Sequence, residues 1–435
     1  MKLFDNEDDC YYPSFYNIYI NSSKTNLSEL IGSDKEPELF HEYIHFIQDI
    51  TTTFGLVNTS CIMNKIKDVY ELKNELLQKG ITELNLPVNA VSHPATNINV
   101  LLFKYYLQYT ETEDFEGETL AYEPEKIEDI IILPDGTTIT VPQYEIMSNE
   151  MHKYKFGTHA IMEGICHCLQ KEIYGISEPN LQVPYNLSKL IWDFMLPEEK
   201  NNIKAFLDVS EVSLMHLMSA KAFIDTIKQI QWGKVKIDSN FYQTICNLWE
   251  TNQKRDIYSN FDYCYTEMAR DVSGTLVADL YYCFNEWLFR EMRIGYVWRF
   301  TREPIFSSFL EKKQLSAKER SNWLMTMFLE YGFPPILNAD GLVFCHQKKD
   351  FLSNISSLST IVMASAYDCI AKTHFNGCPL KDNCIEENQS ETILQKFEVD
   401  ETCDSEPWNK NPNNCPFSAV WNTWGLKKLT CKRNT

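Results

Sequence analysis

His41-Glu42-Tyr43-Ile44-His45 places two imidazoles four residues apart, with a carboxylate directly after the first. Residues at that spacing share one face of a helix, so both rings can converge on a single metal ion. Glu42, about 100° around the helix from His41, reaches a metal-bound water without being a ligand. Zinc held by such a pair at about 2.0–2.1 Å lowers the pKa of its water towards 7, and the glutamate accepts the proton as that water attacks a carbonyl. With 9 histidines in 435 residues, chance produces this pattern about 0.02 times. The competing reading is an inert, hydrogen-bonded pair of core histidines. Leu39, Phe40, Tyr43, Ile44, Phe46, Ile47 and Ile50 make the helix apolar nearly all round. Each polar head buried there without a partner would cost about 1–3 kcal/mol, which favours a bound metal.

A third protein ligand would leave one coordination position for water. The strongest source is the apolar helical stretch Gly157-Thr158-His159-Ala160-Ile161-Met162-Glu163-Gly164-Ile165-Cys166-His167-Cys168-Leu169, with Glu163 alone in its middle. His159, Glu163 and His167 are spaced by four and share a face. Gly164 would let another helix approach closely. A competing segment, Thr266-Glu267-Met268-Ala269-Arg270-Asp271, offers Glu267 with Asp271 four residues on, or merely a helical ion pair between Glu267 and Arg270. Asp49, four residues after His45, either orients that ring or marks the helix end. Thr51, Thr52 and Thr53 can close the helix by bonding back to its carbonyls. A donor to the oxyanion would be a tyrosine or histidine; 23 tyrosines leave the choice open, with His159 one candidate.

An HExxH helix followed by a later helix bearing a glutamate resembles the gluzincin branch of the zinc metallopeptidases. That resemblance implies His41, His45 and Glu163 as zinc ligands, Glu42 as general base and a zincin-like core. It rests on these short motifs alone. The thermolysin-like version of the later helix has an aspartate four residues beyond the glutamate. Here His167 takes that place, whereas Glu267 and Asp271 keep the spacing.

Six of the 14 cysteines crowd into the last part of the chain: Cys369, Cys378, Cys384, Cys403, Cys415 and Cys431. Cys378-Pro379 and Cys415-Pro416 pair a cysteine with proline, as tight metal-binding loops often do. The polar run 385–414 needs a staple to stay ordered. Cys378, Cys384, Cys403 and Cys415 are the expected thiolate ligands of a structural zinc, with an iron–sulfur cluster, free thiols or disulfides as alternatives and His374 able to replace one sulfur.

The elements that must position these groups are mostly helices. Helical periodicity runs over about 35–52, 60–78, 97–109, 148–174, 209–231, 239–252, 262–292, 316–331 and 352–371, with Ser33 or Asp34 as cap candidates for the first. Ser14 to Ile20 reads as a short strand. Asp129 to Val141 reads as a hairpin turning on Asp135-Gly136, either a surface ribbon or an edge on which an extended substrate could lie. Proline and glycine suggest boundaries near 176–186 and 333–350. The expectation is an α+β, predominantly α-helical protein: a zincin-like core at 1–180, a helical domain at 181–350 and a cysteine-rich segment at 351–435.

The balance of 60 acidic against 40 basic side chains gives a net charge of -20, which repels nucleic acid and anionic membranes. Hydrophobic residues at 44% argue for a packed core, and 15 glycines, about half the usual share, for helices over turn-rich β structure. The acidic start of the chain lacks a secretory pattern and no apolar run approaches the roughly 18 residues of a membrane span, so a cytoplasmic setting with reduced thiols is expected. The function expected is a zinc metallopeptidase acting on a protein or peptide, with the helical remainder providing a substrate cleft or a surface for a regulatory protein partner. The alternatives are a non-catalytic helical binding protein with structural metal, and a metal-dependent hydrolase of another bond.

Overall fold

The computed structural model describes residues 9–13, 15–24, 26–87, 105–132, 136–176, 182–249, 256–275, 282–301, 303–339, 343–344, 361–370, 377–389 and 396–433. His374, the hairpin tip at 133–135, much of the helix expected over 97–109 and the first part of that over 352–371 lie outside them. The described chain is mostly helical with small separate sheets. Its strands are β1 (Cys10–Tyr12), β2 (Asn17–Tyr19), β3 (Glu83–Leu86), β4 (Glu113–Asp114), β5 (Glu125–Ile132), β6 (Thr138–Met147), β7 (Lys153–Phe156), β8 (Gln182–Val183), β9 (Ile336–Leu337), β10 (Val343–Phe344) and β11 (Thr430–Arg433). The helices that matter here are α1 (Leu27–Leu30), α2 (Glu36–Thr51), α3 (Thr53–Gln78), α4 (Thr158–Tyr174), α5 (Leu187–Met195), α6 (Ile203–Leu214), α7 (Ser219–Gln231), α8 (Phe241–Leu248), α9 (Ile257–Thr275), α10 (Tyr282–Phe300) and α11 (Ala317–Glu330).

The motif helix α2 lies at the centre, packed by α3, α4, α10, β1 and β2. Every residue from Leu39 to Thr51 is buried, as the all-round apolar sequence requires. Neither expected cap side chain caps it: Ser33 Oγ instead accepts from the Lys35 N–H at 3.1 Å, one residue too early. At the other end two of the three threonines act as expected, Thr51 Oγ1 donating to Ile47 O and Thr52 Oγ1 to Gln48 O, whereas the buried Thr53 Oγ1 bonds no carbonyl among the described residues. Thr52 also accepts from Gly55 N at 3.1 Å and so starts α3 seven residues earlier than periodicity suggested.

Two glycines set the helix crossings. A Cβ on Gly295 of α10 would stand 2.1 Å from Ile50 O, so α10 can lie against α2 only because that atom is absent. On Gly164 a Cβ would meet Ser188 Oγ of α5 at 2.0 Å, the close approach expected there. The end of α2 is further held by a buried ion pair. Arg299 Nε donates to Thr51 O, while its Nη1 bonds Glu211 Oε1 at 2.6 Å. Glu211 Oε2 also accepts from the Ile305 and Phe306 amides, both at 2.9 Å.

Other expectations are corrected. The helix read over 148–174 begins only at Thr158, because Lys153-Tyr154-Lys155-Phe156 alternates, buries both aromatics and pairs with β6 as β7. The stretch 209–231 divides into α6 and α7 around 215–218, and 262–292 falls on α9 and α10. The hairpin forms as β5 against β6, with β7 on the far side of β6. β5 is thus an edge of that sheet, and Ile130 and Ile132 are exposed on it.

Chain segments remote in sequence close the fold. β2 pairs in parallel with β9, and β11 in parallel with β3. One apolar cluster runs through the described residues from Tyr11 to Cys431. Among the described residues no helix is long and apolar enough to cross a membrane.

Candidate metal centre

Helices α2 and α4 bring the chemically distinctive side chains together. His41 Nε2 and His45 Nε2 both face Glu163 Oε2, at 3.1 and 3.3 Å. The other carboxylate oxygen, Oε1, takes His159 Nε2 at 3.3 Å. Donors 2.0–2.1 Å from a tetrahedral ion lie about 3.3–3.4 Å apart, and each histidine stands at about that distance from Glu163.

The far sides of the imidazoles decide which nitrogens are available. Gln48 Nε2 donates to Met162 O at 3.0 Å; a carbonyl can only accept, so the Gln48 oxygen is the atom turned to His45 Nδ1 at 2.9 Å. His45 therefore carries its proton on Nδ1 and, when neutral, presents the Nε2 lone pair to a carboxylate. Gln170 Oε1 stands 3.3 Å from His41 Nδ1 and serves the first histidine in the same way. Nε2 of either ring meets the carboxylate favourably only with a cation between them, a proton or a metal ion.

The ionisation tendencies agree. Burial alone would raise the Glu163 pKa, yet His45, His159 and His41 pull it well below the usual carboxylate range. Burial opposes charge on His45, yet Cys166 and Glu163 outweigh it and hold its pKa well above the ordinary value. The pocket is built to hold positive charge. Glu42 is also buried, which raises its pKa; His41 and His45 pull the other way and Glu163 adds to the rise. Among the described residues no hydrogen bond or ion pair ties the Glu42 carboxylate.

His41, His45 and Cys166 form a buried group whose donor atoms all lie within 4.8 Å of one another, and it could hold a metal ion. The Cys166 sulfur lies 3.5 Å from His45 Nδ1, on the side already occupied by Gln48.

Several predicted residues take other roles. Glu267 pairs with Arg270 on α9, and Asp271 bonds Ser60 and Asn64, so neither faces the histidines. Asp49 does not reach His45. It accepts from Tyr11 OH at 2.8 Å, and the Tyr11 ring stacks over His45 with centroids 6.1 Å apart. His159 spends its Nε2 on Glu163. His167 lies beside Tyr185, and burial drops its pKa to about 4. In the tail, Cys378 has Cys415, Cys384 and Cys403 as neighbours.

Sequence reasoning missed Gln48, Gln170, Tyr11 and Tyr185. Tyr185 follows the β4–β8 pair and sets its ring 5.9 Å from His41. Gln170, seven residues beyond Glu163, and Gln48, three beyond His45, carried a readable signal, since both spacings keep one helix face. Comparison with protein-family models, curated proteins and solved structures finds no match for this chain.

Proposed function

We propose that the chain is a zinc-dependent metallopeptidase in which His41, His45 and Glu163 hold the ion and Glu42 is the general base. The observation that carries this is the convergence of His41 Nε2 and His45 Nε2 on one Glu163 oxygen, at 3.1 and 3.3 Å, with the Gln48 oxygen on the far nitrogen of His45. That arrangement holds a cation, a proton or a metal ion, and two imidazoles with one carboxylate are a zinc donor set. Zinc supplies Lewis acidity and brings the pKa of a coordinated water towards neutrality. The chain's residues do the rest. Glu42, buried and with its pKa raised, takes the proton at its carboxylate and passes it to the leaving amine. Gln48 and Gln170 hold the histidine rings, and His159 holds the second oxygen of Glu163. Tyr185, beside His41, is the residue placed to donate to the oxyanion.

A closed His41–His45–Cys166 site would favour a structural metal instead. Its sulfur lies on the protonated Nδ1 edge of His45, whereas Glu163 faces Nε2 of both histidines, which supports the open arrangement. The deciding experiment is Glu42→Gln, assayed on a panel of peptides, esters and phosphodiesters with metal content measured alongside. Peptide hydrolysis is expected to fall about 10²–10⁴-fold with zinc retained. Equal cleavage by variant and wild type, or metal unaffected by His41→Ala, would sink the proposal.

A further inference from the structure

The geometry points to a second metal site: we propose that Cys378, Cys384, Cys403 and Cys415 bind one structural zinc ion as a tetrathiolate. Three separate segments bring them together. The Cys378 amide donates to Cys403 O at 2.8 Å, which joins the first loop to the second. Gly377 makes this possible, with φ at +91° and the Asp404 backbone 3.1 Å from where its Cβ would be. Cys415 caps the helix Pro416–Thr423, and Cys378 lies among the other three cysteines.

The two Cys-Pro loops repeat one device. In each, the backbone two residues on lies by the sulfur, Leu380 by Cys378 and Phe417 by Cys415, and Ser418 N donates to Cys415 Sγ at 3.5 Å. Cation placement agrees. Lys410, its side chain only 1% exposed, bonds Asp400 Oδ1 at 2.8 Å and Glu398 O, and lies near Cys403. Lys427, whose Nζ donates to Lys410 O at 2.5 Å, faces Cys415. Four thiolates on a divalent ion carry a net charge of about −2, which the buried Lys410 and the partly exposed Lys427 offset.

No disulfide joins cysteines among the described residues. No three of them come within 4.8 Å of one another, as the His41–His45–Cys166 donors do. Binding therefore draws the loops inward, and stability is a direct readout. The site is independent of the chemistry proposed for His41 and Glu42.

The test uses the full chain purified without chelator or affinity nickel. His41→Ala/His45→Ala is expected to keep one zinc per chain, and its cobalt form to show thiolate-to-cobalt charge transfer. Cys378→Ser/Cys415→Ser is expected to lose one zinc and melt at lower temperature. Should that variant fail to fold, a mercurial titration of the histidine variant replaces it, with one zinc released as four thiols are modified. A histidine variant devoid of metal, thiols modified without zinc release, or iron in place of zinc would each overturn the assignment.

Discussion

At the residue scale, the candidate centre depends on which nitrogen of each histidine is free. Gln48 is the positioning residue for His45, with its amide fixed by the Met162 carbonyl and its oxygen on Nδ1. Gln48→Leu keeps the side chain's bulk and removes both bonds. It is expected to weaken zinc about 10–100-fold in chelator competition while leaving the pH profile of any residual cleavage centred on Glu42. Unchanged affinity would show that the ring is held otherwise. Tyr185→Phe keeps the ring against His41 and removes the hydroxyl. A kcat lower by about 10²–10³-fold with metal content unchanged is expected, and an unaffected kcat would remove Tyr185 from the reaction.

At the element scale, α2 can carry polar ligands because neighbours enclose it completely. That enclosure needs α10 at contact distance, and Gly295 provides it. A Cβ there would collide with the carbonyl of Ile50, which is backbone and cannot rotate away. Gly295→Ala is therefore expected to cost about 1–3 kcal/mol in urea unfolding, even though alanine is the better helix former. A stabilised variant would mean that the crossing is looser than described. The same crossing carries Arg299, whose buried pair with Glu211 ties the end of α2 to α6. Losing either partner would strand a buried charge.

At the scale of the whole molecule, stability should respond to pH through Glu291. Its side chain is 1% exposed, and burial pushes its pKa from the ordinary 4.5 to about 7 against the pull of Arg290. A carboxyl with a raised folded pKa binds its proton more tightly in the folded state. Below about 4.5 both states are protonated and nothing is lost; as pH rises through about 7 the fold must hold an ionised group, and stability falls. Glu291→Gln should match wild type near pH 4.5 and exceed it by about 1–3 kcal/mol at pH 8, measured by denaturant unfolding at both pH values. A constant difference across that range would exclude the linkage.

The amino-acid sequence determined the parts that depend on spacing within one helix. HExxH placed His41 and His45 on one face, the apolar run around them required α2 to be buried, and four-residue steps aligned His159 with Glu163. Local alternation carried the β5–β6 hairpin equally well, whereas β7 was hidden inside a stretch that also scans as helical. Tertiary structure alone decided that Glu163 stands at the histidines while Glu267 turns to Arg270. It alone supplied Gln170 to His41, across 129 residues of sequence, and the Met162 carbonyl to Gln48, across 114. Such contacts depend on how closely and at what angle helices cross. Those crossings are set by packing at positions such as Gly164 and Gly295, and periodicity along a single chain segment carries no record of them.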